Sequence, residues 1–210
     1  MEVLLDYNFE EENCNIKSHC GLYETNYYMT KDIMDCDVDL SVRFIKSAER
    51  LVRKDPDYKK YLAYVKETLG LNRCSILGRV DSESASIELH HGPIMNLFDI
   101  CRIVLLDQLD TYGKATAYSV AEEVMELHFK NKIQFVMLSE VIHQSVHGAN
   151  RFINLKHAYG DIGWFIKRYL KHFTTYQINV IRKYAHLSNK YDSDVLDLAK
   201  ISEDVGEFGY

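Results

Sequence analysis

The sequence predicts an α+β protein in which helices dominate. Three observations carry this: apolar residues recur every three or four positions along most of the chain, the period turns extended at 74–91, and an apolar run at 133–138 leads into a helix start. The 210 residues, 47% hydrophobic and 27% charged, suffice to bury a sizeable core. No apolar run reaches the ~18 residues of a membrane span. The opening MEVLLDYNFEEEN carries acids where a secretory leader would carry Lys or Arg, so the chain is expected to be cytoplasmic and not membrane-bound.

Residues 1–38 have no clean period and are expected to form an irregular leader with at most one short element. From Leu40 to Lys54 the apolar residues Leu40, Val42, Phe44, Ile45, Ala48, Leu51 and Val52 recur at three- and four-residue intervals, giving a helix whose outer face carries Arg43, Lys46, Arg50 and Arg53. Pro56 suits the first turn of a second helix, and Gly70 suits its end. CSILGRV and ASIELHH, separated by the polar DSES, read as two strands of a hairpin ended by Gly92-Pro93.

Two helices follow, MNLFDICRIVLLDQL and ATAYSVAEEVMELHFKN, broken around Gly113. After the run IQFVML, Ser139 is placed to cap a helix SEVIHQSVHG that stops at Gly148. Further helices are expected over 162–173 and 175–188. The expected domains are a mostly helical region at 1–73, a strand-and-helix unit at 74–150 with a helical insertion at 95–131, and a helical extension at 151–210.

Cys14, Cys20, Cys36, Cys74 and Cys101 are odd in number and contain no C-x-x-C pair, so they read as reduced thiols. The net charge of −6 hides a segregation. Residues 151–190 hold eight Lys or Arg against the single acid Asp161, whereas the last twenty residues hold Asp192, Asp194, Asp197, Glu203, Asp204 and Glu207 against Lys200 alone. In the basic stretch Arg151, Lys156, Lys167, Arg168 and Lys171 are candidates to neutralise phosphates, and exposed aromatics among them to stack on unpaired bases. Packing has first claim on those aromatics.

Two histidine features carry chemistry: Glu88-Leu89-His90-His91 at a strand end, and His143-x-x-x-His147 on a helix, where four-residue spacing puts both imidazoles on one face. Nine histidines make either feature common by chance. His128, His157, His172 and His186 are read as surface or hydrogen-bonded core residues. What joins the two features is their setting. IELHHGPI followed by NKIQFVMLSEVIHQSVHG resembles the two halves of the HNH, or ββα-metal, motif of DNase toxins and phage nucleases.

The resemblance implies a ββα-metal hairpin-plus-helix unit built from residues 74–92 and 133–148, with helical insertion and extension. It implies an endonuclease that hydrolyses DNA phosphodiester bonds with one divalent ion: Mg, Mn, Zn or Ni. His90, His143 and His147 would hold the ion, His91 would act as general base, and Glu88 would orient the site. Residues 92–142 are a long connection for this family, and Gln134 stands where its Asn is expected. The alternative is therefore a degenerate HNH fold kept as a DNA-binding or protein-binding subunit of a phage complex. Implied partners are DNA, a second copy or a phage protein, in the host cytoplasm if the chain is phage-encoded.

Overall fold

A computed structural model describes residues 28–147 and 151–190, and the backbone of 195–197. The helix-dominated α+β class holds. Among the described residues, three small antiparallel pairs of strands accompany the helices. By internal contacts the chain forms two compact units, Met1–Asp55 with Phe98–Glu126, and Pro56–Leu97 with Leu127–Tyr210.

In the first unit, strand β1 (Met29–Thr30) precedes helices α1 (Lys31–Cys36) and α2 (Val38–Lys54). Asp37 begins α2 because its carboxylate accepts from the Leu40 N–H at 2.8 Å, satisfying a donor the helix leaves open. The expected apolar stripe is the buried face: Leu40, Phe44, Ile45, Ala48 and Val52. Each of the larger side chains contributes roughly 1.5–3 kcal/mol by leaving water.

Helix α4 (Leu97–Tyr112) buries Ile100, Cys101, Ile103, Val104 and Leu105 almost completely, as a helix apolar on most of its circumference must. Strand β3 (Lys114–Ala115) pairs with β1, and helix α5 (Ala117–Phe129) follows. Thr116 and Ser119 start α5 by reciprocal bonds, each hydroxyl accepting from the other's backbone N–H.

In the second unit, helix α3 (Pro56–Ala63) runs into a wider π turn, Tyr64–Thr68, and buries Tyr58, Tyr61 and Val65. Strand β2 (Ile87–His91) then pairs antiparallel with β4 (Phe135–Ser139), from Ile87↔Ser139 to His91↔Phe135. This corrects the expected local hairpin. Residues 74–80 turn back on themselves, with Gly78 donating to Cys74 O and Cys74 donating to Val80 O. Asp81 binds the backbone N–H groups of Glu83 and Ser84, so the polar segment closes its own turn and does not join two strands.

Strand β4 passes directly into helix α6 (Glu140–His147). Ser139 is not its side-chain cap: the hydroxyl is buried and has no hydrogen-bond partner among the described residues, and the Glu140 N–H donates to Ser86 O. Ile142 and Val146 of α6 pack on Val136 and Leu138 of β4 and on Ile153, fixing the helix across one face of the strand pair. Strand β5 (Arg151–Ile153) pairs with β6 (Val195–Asp197). Helices α7 (Ile162–Tyr169) and α8 (Thr175–Lys190) complete the unit, the first continuing as a tight turn through His172.

Cys74 and Cys101 are free and buried, in line with expectation. Cys36 is disulfide-bonded, which corrects the all-reduced reading for that residue. Cys14 and Cys20, residues 1–27 of the leader, the Gly148 helix stop and most of the acidic tail lie outside the described residues.

Candidate metal centre

Alternation along β2 decides which histidine faces which side. Glu88 and His90, two residues apart, share the face that α6 covers, opposite Leu138 and Val136 of β4. On α6, His143 and His147 lie one turn apart and point toward them. The ligand nitrogens of His90, His143 and His147 consequently lie within 4.8 Å of one another. The rings of His143 and His147 are 4.9 and 5.2 Å from that of His90, centroid to centroid.

Hydrogen bonding sets the tautomers. His143 Nδ1 lies 2.5 Å from Glu88 Oε2. A carboxylate can only accept there, so Nδ1–H donates and the Nε2 lone pair is left for another partner. That partner is His147 Nε2, at 2.9 Å. Carboxylate–imidazole pairing of this kind orients metal-binding histidines and raises their basicity.

Burial, with the nearby His143 and His147 second, pushes the His90 imidazole down from 6.5 to about 4, so it is neutral at physiological pH. A neutral imidazole is a ready ligand. Gly92 makes room for it: a Cβ there would lie 2.8 Å from His90 Nε2, and its φ of +152° is one that other residues rarely adopt.

His91 is not brought to this group. It points to the opposite face of β2, is buried, and meets His128 Nε2 at 2.9 Å through its own Nε2. Tyr58 stacks on it, and Tyr58 and Tyr61 set their edges against His128. The base role expected of His91 therefore does not fit its position, because strand alternation that aims His90 at the ion aims its neighbour away. His128 and His172 are buried, and His128 is the hydrogen-bonded core residue it was read to be.

Gln134 precedes β4 and is buried, its Oε1 without a hydrogen-bond partner among the described residues. Lys156, Lys167, Arg168 and Lys171 are exposed; Arg151 lies in β5 and is described by its backbone alone. Phe165 and Tyr169 of the same stretch are buried, so packing does claim those aromatics. Sequence reasoning missed the role of Gly92, and its only signal was a glycine directly after the histidine pair.

Two strands and a helix presenting three imidazoles and a carboxylate on one face define a helix-rich protein with a candidate metal-binding ββα unit. Residues 1–205 match the model of the Bacteriophage G278-like virion protein family, and the chain belongs to that family. This family match supports the phage origin expected from the resemblance; the family is described by a virion protein, not by a nuclease. No curated protein and no solved structure matches the chain. No described helix is long and apolar enough to cross a membrane.

Proposed function

We propose that this virion protein binds one divalent transition-metal ion in an HNH-like ββα unit and acts as a binding subunit of a phage assembly, not as a working nuclease. The convergence of His90, His143 and His147 beside Glu88 carries the reading. Three imidazole nitrogens suit zinc or nickel, whereas magnesium favours oxygen ligands and keeps several waters. Among the four ions the resemblance implies, the donor set thus favours Zn and Ni over Mg and Mn.

A bound ion would supply Lewis acidity or cross-link the strand to the helix. The chain's own residues supply orientation: Glu88 holds His143, Gly92 admits His90, and α6 carries two ligands on one turn. Hydrolysis also needs a group to take the proton from water, and the imidazole expected to do so is buried against His128. This supports the binding-subunit reading. The protein's place is then in or on the phage particle, with a phage protein or DNA as partner.

The second reading, an active DNA endonuclease, is favoured by one observation: His147 is exposed, which leaves the ligand group open to a substrate. One experiment separates the two. Purified protein is assayed for bound metal and for plasmid cleavage with Mg²⁺, Mn²⁺, Zn²⁺, Ni²⁺ or EDTA, beside His143→Ala and His91→Ala. Stoichiometric metal that His143→Ala abolishes, with no cleavage under any condition, is expected. Metal-dependent nicking lost in His91→Ala with metal retained overturns the binding-subunit reading, and absence of any metal binding overturns both.

A further inference from the structure

Helix α7 has two unlike faces. Phe165 and Tyr169 are fully buried, while Trp164, Lys167 and Arg168, spaced three and four residues apart, are exposed on the other side. Lys171, one further turn along, extends this row, which spans roughly 10 Å at 1.5 Å per residue. At the Trp164 end the amine of Lys132 sits 5.2 Å over the indole ring while bridging Asp161 at 2.9 Å.

Asp161 is the only acid of residues 151–190, and it is engaged twice, by Lys132 and by the Trp164 N–H that starts the helix. Exposed Lys167, Arg168 and Lys171 thus lie within two turns of an exposed aromatic ring. Two further rings, Phe129 and Tyr159, are exposed in the segments that meet where the Asp161 N–H donates to Asn131 O.

We propose that this face binds single-stranded nucleic acid, with Trp164 stacking on an unpaired base and Lys167, Arg168 and Lys171 contacting the flanking phosphates. A cationic row alone would serve any polyanion. The exposed indole within it selects a polymer that offers both phosphates and open base faces, because base–aromatic stacking needs a base outside a duplex. The proposal goes beyond the metal reading and stands without it, since none of these residues belongs to the ligand group.

Trp164 is the chain's single tryptophan, so its emission reports directly on the site. Full-length protein in EDTA is titrated with oligothymidylate, oligouridylate, a blunt DNA duplex and inorganic polyphosphate. Affinity is also read independently from the anisotropy of labelled oligomers. Either single-stranded oligomer is expected to quench Trp164 saturably, while duplex and polyphosphate bind at least about tenfold more weakly and leave the emission unchanged.

Trp164→Ala is expected to weaken binding about tenfold. Lys167→Glu with Arg168→Glu, both exposed and checked for native circular dichroism, is expected to weaken it further and to lower the salt dependence by about two phosphate contacts. Equal binding of duplex or polyphosphate, no binding of either oligomer, or unchanged affinity in the charge-reversed variant overturns the proposal.

Discussion

Glu88 and His143, one on β2 and the other on α6, are joined by a hydrogen bond from His143 Nδ1 to Glu88 Oε2 that ties the strand to the helix at the ligand group. Removing the negative charge and keeping the shape tests what that bond does. In Glu88→Gln the metal affinity is expected to fall about 10–100-fold, the usual cost of losing an orienting partner behind a histidine ligand. Competitive titration against a chromophoric chelator measures it, and an unchanged affinity shows that Glu88 has no part in the site.

Gly92 is expected to tolerate no side chain. A Cβ at 2.8 Å from His90 Nε2 must displace the imidazole, and the φ of +152° adds backbone strain. Gly92→Ala should lower stability by about 1–3 kcal/mol and weaken metal binding along with it. Urea unfolding with and without Zn²⁺ reads both effects.

His91 and His128 provide the opposite control. His91→Ala opens a cavity among Tyr58 and His128 and removes a buried hydrogen bond, so a loss of about 2–4 kcal/mol is expected. Because His91 faces away from the ligands, metal stoichiometry should remain at the wild-type value in the folded fraction. Loss of metal from a folded variant would place His91 in the site after all.

Acid should destabilise the metal-free protein through His90. Its folded value lies below its unfolded one, so the unfolded chain binds the proton more readily. The stabilising contribution is complete above about 6.5 and is lost as pH falls toward about 4. The slope approaches about 1.4 kcal/mol per pH unit for one such group. Unfolding midpoints of EDTA-treated wild type and His90→Asn across that window should converge as pH falls, and parallel curves would refute the assignment.

Much of this was legible in the sequence because it depends on local spacing. The stripe of α2, the Pro56 start, the break at Gly113 and the four-residue spacing of His143 and His147 all follow from the helical period. The partner of β2 was not legible. CSILGRV and IQFVML are both short apolar runs, and only tertiary pairing, across residues 92–134, selects the second. Nor could the order Glu-Leu-His-His show which histidine faces the helix, since an extended strand sends neighbours to opposite sides and one residue of register exchanges them. Ser139 looked like a cap and is instead the last buried residue of a strand, where the ladder overrode a local preference.

His91 and Phe135 are partners on the last rung of the β2–β4 ladder, so the chain departs and returns within about one strand spacing, ~5 Å. Seen from the ligands, everything between those two residues is equivalent to a hairpin turn. Apart from Gly92 and His128, which meet His90 and His91, its helices can lengthen, shorten or diverge in sequence at little cost to the position of His90 relative to His143 and His147. The ladder works as a socket with an interchangeable cassette, one that holds the histidine geometry constant while the rest of the protein varies.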